Sequence, residues 1–226
     1  MKPLAIDRDR FALSEGSRYG IVLVLLISAI TVTIVWPPGT LSSLLTAALE
    51  GASVFVAIGA RKGRRGRRLL LLVVVVASIT VTGLATGSVE SGIRDFLNAG
   101  VIAALPVIIV LRYRRFLYVN VQTVLGAICI YLVIGILFAS FDAGLSDLSR
   151  RPFFGEASNA TPSQYMYFSF ITLTTVGYGD LTPGFGAARA LAVSEALTGQ
   201  LYLVTVVALL GARISRDRQQ PRESDS

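Results

Sequence analysis

Six stretches of this chain are apolar for long enough to cross a lipid bilayer, and that repetition restricts its fold more than any other feature. They occupy residues 19–36, 41–60, 69–86, 93–111, 119–141 and 187–212. A helical span needs about 20 residues to cross roughly 30 Å of hydrocarbon. Lipid offers no hydrogen bonds, so each run must satisfy its own backbone, which a helix does and an open strand does not. With 53% hydrophobic and only 15% charged residues, the composition is not that of a soluble domain. The first run has a long apolar core and no small-residue cleavage site after it. Trp36-Pro37-Pro38-Gly39 reads instead as an interfacial turn, so the run is expected to be a retained membrane helix rather than a signal peptide.

Charge sets the expected topology. Seventeen of the 21 basic residues fall on one side if six helices are threaded in order. They precede the first span (Lys2, Arg8, Arg10, Arg18), fill the stretch RKGRRGRR from Arg61 to Arg68, follow the fourth span (Arg112, Arg114, Arg115) and follow the last (Arg213, Arg216, Arg218, Arg222). Arg94, Arg150, Arg151 and Arg189 are left for the other side. The positive-inside rule then predicts both termini in the cytoplasm of a multi-pass plasma-membrane protein. The stretch from Arg61 to Arg68 reads as a topological anchor, with contact to anionic lipid as its functional alternative. The formal charge of +7 does not argue for nucleic acid, because no groove-reading motif accompanies it. The polar tail from Ser215 reads as disordered.

The chemistry for an enzyme is thin. There is no histidine and a single cysteine, Cys129, so an internal disulfide, a Cys/His zinc site and histidine catalysis are excluded. No cofactor is expected. Cys129 lies in an apolar run and reads as a small buried side chain.

Between the fifth and sixth runs lies a segment that does not cross. Residues 142–163 are polar and contain Pro152, Gly155 and Pro162, as an external loop would. PSQYMYFSFITLTTVGYGD follows. Ser163 is the expected N-cap of a helix over 164–173, about 15 Å long and half a bilayer deep. Such a helix enters and must return as extended chain. Irregular backbone at that depth is tolerated only where protein buries it or water and ions line it. Gly177 and Gly179 permit positive-φ backbone and leave no Cβ in the way. Alternating them with Val176 and Tyr178 lets successive carbonyl oxygens face one side. Four copies around an axis would stack these oxygens into rings able to replace the hydration shell of a cation. The hydroxyl of Thr175 adds an oxygen at the inner end, and the helix directs its negative end toward the cavity below.

TTVGYGD, from Thr174 to Asp180, resembles the signature of the potassium channel family. The resemblance covers residues 119–212: outer helix, external loop, pore helix, filter and inner helix. It implies an all-α membrane protein with six transmembrane helices, a re-entrant pore helix and an extended filter loop, assembled as a homotetramer that conducts potassium passively. Thr175, Val176, Gly177, Tyr178 and Gly179 take the ion-selectivity positions, with potassium held at the first four. Thr174 and Asp180 flank them as support. Tyr178 is expected to turn its ring into a cuff of pore-helix aromatics, where Tyr167 and Phe168 stand in place of two tryptophans. Ile171 occupies the position at which some bacterial members carry a glutamate facing the aspartate; the hydroxyl of Tyr167 is the proposed substitute partner for Asp180. In the inner helix Gly199 has the spacing of the family's hinge glycine, although a small residue there also serves close helix packing. Glu195 is an acid within a span, costly unless paired. With LTGQLYL after it, it resembles a bacterial ion-channel pattern and is expected to bond behind the pore helix. The same resemblance leaves Thr198 and Gln200 directed at either the cavity or a neighbouring helix.

The expected organisation is a cytoplasmic N-terminus (1–18), a four-helix membrane region (19–115), a pore domain (116–212) and a short tail (213–226). The four-helix region looks like a voltage sensor without gating charge. Residues 93–111 contain no arginine inside the span, and Pro106 would kink it. Arg61, Arg64 and Arg67 keep a spacing of three but lie in a glycine-broken loop, and Glu50 is the sole candidate countercharge. A transporter built on internal repeats would need more than one such loop per chain, and none is visible. Gating by voltage requires several charges moving in the field. Conductance of the reconstituted protein, swept in voltage, should therefore show no steep rise.

Overall fold

The computed structural model describes residues 8–58, 121–155 and 160–219. Among them the chain is all-helical, with an isolated bridge between Phe154 and Pro183 as its sole β pairing. The helices are α1 (Arg8–Val35), α2 (Thr40–Ile58), α3 (Val121–Ser149), α4 (Pro162–Leu173) and α5 (Gly186–Gln219). The expected third and fourth spans, the basic stretch from Arg61 to Arg68, Arg94, Pro106 and the arginines at 112, 114 and 115 lie outside the described residues. Two helical stretches, Thr123–Ser149 and Gly186–Ala212, are long and apolar enough to cross a membrane. The apolar parts of α1 and α2, Tyr19–Val35 and Leu41–Ala57, are shorter.

Four boundaries differ from the sequence expectation, the first being α1, which starts at Arg8 inside the expected N-terminal segment. The outer helix α3 runs on past Phe141 to Ser149, two turns into the stretch expected to be loop. Asp142 falls on its buried face, in register with the buried Ile136 and Ala139, and that packing continues the helix through a polar sequence. Helix α5 runs through Ser215 to Gln219, so the first residues of the expected disordered tail are helical. The N-cap of α4 is Thr161, not Ser163. Thr161 Oγ1 accepts from the Gln164 amide at 3.3 Å, and Gln164 Oε1 accepts from the Thr161 amide at 2.8 Å. Pro162 occupies the first helical position, where its missing N–H costs nothing. Ser163, freed from capping, donates to the Ile34 carbonyl of α1 at 3.0 Å.

α1 and α2 form a hairpin, turned at 36–39. Ser42 Oγ accepts from the Gly39 amide at 3.0 Å near the start of α2, and the hydroxyls of Thr33 and Thr46 meet across the pair at 3.2 Å. α1 packs against both α3 and α4, and α4 is held between α3 and α5. The core joins Val22 and Leu26 of α1, Val54 of α2 and Val133 and Ile136 of α3 to Phe153 and Phe154, which are completely buried although they come from a loop. Close approach requires glycine at 135: a Cβ there would stand 2.8 Å from the Phe170 ring of α4. Glu50 is buried in α2, at a cavity of about 360 Å³ lined also by Asp147 of α3 and Ser163 of α4.

The loop before α4 and the loop after it are stitched together. The Gly155 amide donates to Thr182 at 3.1 Å and the Gly184 amide to Phe153 at 2.7 Å. The entry and exit of the re-entrant segment are thus fixed to each other. Loss of an N-cap hydroxyl typically costs about 1 kcal/mol. Thr161→Ala should therefore lower the thermal unfolding midpoint of the detergent-solubilised protein without changing its helical content.

Candidate functional site

An α-helix leaves its last four carbonyls without helical partners. Those of α4 belong to Phe170, Ile171, Thr172 and Leu173, and each is satisfied. The Phe170 carbonyl accepts from the Thr174 amide at 3.1 Å and from the Thr174 hydroxyl at 2.6 Å. That of Ile171 accepts two amides, Val176 at 2.9 Å and Gly177 at 3.1 Å. Thr172 accepts from the Thr175 amide at 3.0 Å, and Leu173 from the Tyr131 hydroxyl of α3 at 3.1 Å. The chain that leaves the helix folds back to cap it.

This capping dictates where the next carbonyls point. In a trans peptide the C=O and N–H lie on opposite sides, and no peptide bond among the described residues is cis. The amides of Thr175, Val176 and Gly177 turn back to the helix end. The carbonyls of Thr174, Thr175 and Val176, each in the same peptide plane as one of those amides, are thrown to the opposite side. The backbone alternates to permit it: Thr175, Gly177 and Gly179 have φ of 60°, 50° and 82°. Glycine adopts such values freely, whereas a β-branched threonine does so at a cost of roughly 1–2 kcal/mol. Thr175 is held there by its amide bond to Thr172 and by Gln200 of α5, whose Nε2 donates to the Thr175 hydroxyl at 3.2 Å. Strain held in place by surrounding bonds marks a segment shaped for use rather than for stability.

The remaining expected site residues fall as follows. Residues 174–180 are exposed in the single chain, with the Tyr178 ring 73% accessible. Tyr167 is half-buried, and its hydroxyl donates a hydrogen bond to the Asp180 carboxylate. Phe168 turns the other way, edge-on to Phe153 at 5.6 Å and to Phe154 at 5.2 Å. The Ile171 side chain is buried, and its carbonyl is the residue's contribution to the turn. Glu195 is completely buried against Ser169 of α4. Gly199 lies against the end of α4, where a Cβ would stand 2.3 Å from the Leu173 carbonyl oxygen. Thr198 is occupied within its own helix, donating to Ser194 at 2.7 Å.

Sequence reasoning passed over Tyr131, Ser169 and Asp142. Tyr131 both caps Leu173 and stacks on Tyr202 at 5.8 Å, while Tyr202 donates to the Ala127 carbonyl at 2.6 Å. An aromatic or hydroxyl residue inside an apolar run carries no sequence signal of its partner. Asp142, an acid adjoining a span, was the one detectable sign.

The arrangement is therefore a short helix capped by its own strained return, with carbonyl oxygens directed away from the protein body. Such oxygens coordinate cations. Comparison with known proteins agrees: residues 126–216 match a family described as "Ion channel", which places an ion channel domain over α3, α4 and most of α5. A similar protein is Two-pore potassium channel 1 of Arabidopsis thaliana, 28% identical over 90 residues that make up 40% of this chain and 20% of that protein. No solved structure matches. Residues 126–216 are thus similar to an ion channel family, and the plant relative is a potassium channel by name.

The contact at Gly199 generates a direct expectation. A Cβ at 2.3 Å from a backbone oxygen cannot be accommodated by a side-chain rotation. Gly199→Ala should displace the end of α4 and lower the thermal unfolding midpoint of the detergent-solubilised protein, while the protein still reaches the membrane.

Proposed function

We propose that this chain is one quarter of a homotetrameric channel that passes potassium selectively and passively through the plasma membrane. The observation that carries the reading is the alternating positive φ at Thr175, Gly177 and Gly179, together with the amides turned back onto α4. Four such segments around one axis bring rings of carbonyl oxygen from Thr175, Val176, Gly177 and Tyr178, with the Thr175 hydroxyl below, into the place of potassium's hydration water. Gly179 and Asp180 close the outer end. The printed name of the plant relative, a potassium channel, supports the choice of ion.

Assembly is supported by what one chain leaves uncovered. A single segment cannot surround an ion. Along α5 the side chains of Val193, Leu197, Leu201 and Val204 are 58–65% exposed at helical spacing. Three further copies and lipid would cover that stripe, and Tyr178 would find its aromatic surroundings across the same boundary. Conduction is passive, needs no cofactor beyond the permeant ion, and lacks a steep voltage trigger. Both termini are cytoplasmic. Anionic lipid at the residues from Arg61 to Arg68 is a secondary partner, and nucleic acid is not a partner.

The test is a reversal potential. Protein in planar bilayers, under opposed potassium and sodium gradients, should reverse near the potassium equilibrium potential. Reversal near zero, with real current, would mean that the column is too loose to discriminate and would sink the selective reading.

A further inference from the structure

The site behind α4 holds a hydrogen-bond count that does not close for an ionised glutamate. Ser169 of α4 is completely buried. Its Oγ stands 2.7 Å from the Gly135 carbonyl oxygen of α3 and within hydrogen-bonding distance of Glu195 Oε1 of α5. A serine hydroxyl has one proton to give. A carbonyl oxygen can only accept, so the bond to Gly135 uses that proton. The contact with Glu195 is then a bond only if the carboxyl donates.

Charge gives the same answer by a separate route. Glu195 is 0% exposed, and its second oxygen, Oε2, has no hydrogen-bond partner among the described residues. Ionised, it would be a buried negative charge with one hydrogen bond and no cation among the described residues, a state that desolvation strongly disfavours. The groups that face it make this worse. From α3 come Asp142, itself 0% exposed with both oxygens unpartnered among the described residues, and the phenol of Tyr131. α4 presents Ser169. On α5 the nearest charge is Arg189, nearly two turns back, exposed and bonded to the Pro183 carbonyl at 3.2 Å.

We propose that Glu195 is a protonated positioning residue: its carboxylic acid donates to Ser169, Ser169 donates to Gly135, and this proton chain ties the inner helix, the pore helix and the outer helix together behind the ion path. Removing the proton reverses the first bond. Ser169 must then turn its hydrogen to the carboxylate and release Gly135, and a buried charge appears beside Asp142. The tie is present while Glu195 is protonated and is lost as pH rises through its titration. Above that point the protonated fraction falls about tenfold per pH unit, and potassium flux should fall with it. The flux consequence rests on the channel reading; the protonation does not.

Two measurements separate these. Infrared spectra of the full chain in lipid nanodiscs at neutral pH should show a protonated-carboxyl C=O stretch that disappears in Glu195→Gln, persists in Asp142→Asn, and shifts in Ser169→Ala as the bond to Oγ is lost. No band assignable to Glu195, or a band unmoved by Ser169→Ala, would overturn the proposal whether or not the protein conducts. In proteoliposomes, wild-type potassium flux should fall on alkalinisation. Flux through Glu195→Gln, whose amide donates to Ser169 at any pH, should keep its own neutral-pH level. Equal alkaline loss in wild type and Glu195→Gln would overturn the coupling of this proton to the ion path.

Discussion

Everything in the re-entrant region depends on how the buried end of one short helix finds partners for its last carbonyls. An unpaired carbonyl at a buried helix end costs as much as a lost hydrogen bond. The chain solves this locally. The amides of residues 174–177 fold back and satisfy three of the four, and the Tyr131 hydroxyl takes the last. The geometry that turns those amides inward leaves the other edge of each peptide facing out. Oxygens directed outward are the necessary reverse side of a satisfied helix end. The strained Thr175 follows as well, since only a left-handed step lets the chain reverse within so few residues.

That economy explains why glycine recurs where it does. Gly177 and Gly179 supply the other two left-handed steps. Gly135 and Gly199 have a different reason, because each lets a neighbouring helix press against α4: Phe170 on one side, Leu173 on the other. α4 is clamped between glycine faces of α3 and α5, and the stitched loops carrying Phe153 and Gly184 fix its two approaches. A helix of twelve residues is marginal by itself. Here its position is set by neighbours that approach closely enough to leave no room for a Cβ.

Much of this was legible in the sequence, for identifiable reasons. Length and hydropathy betray a span, and a short apolar run followed by a glycine-rich return betrays a re-entrant loop. Both are one-dimensional signals. The start of α4 was misplaced by two residues because Thr161 and Ser163 are both acceptable caps; the reciprocal bond from Gln164 decided it. The end of α3 was misplaced because Asp142 looks like the start of a loop until its burial among Ile136 and Ala139 is visible. Tyr131 and Ser169 were invisible since their partners are 42 and 34 residues away, on another helix. The return segment could be read because its backbone conformation is written in its own residues. Its supports could not, because they are written in three-dimensional contact.

The contacts of α5 bear on how its glycine should be understood. Glu195, Gly199 and Gln200 meet α4 or its return at Ser169, Leu173 and Thr175, within little more than one helical turn. A hinge centred on Gly199 would have to pull at least one of these apart. The helix is continuous through that point, and the space a side chain would need is already filled by a backbone oxygen. Close packing alone is therefore sufficient reason for a glycine. If α5 bends, the bend that leaves the site intact lies beyond Gln200, where Val204, Val207 and Leu209 are exposed and make no demands on the pore helix. Upstream of that point the inner helix belongs mechanically to the return segment, and any motion of one is a motion of the other.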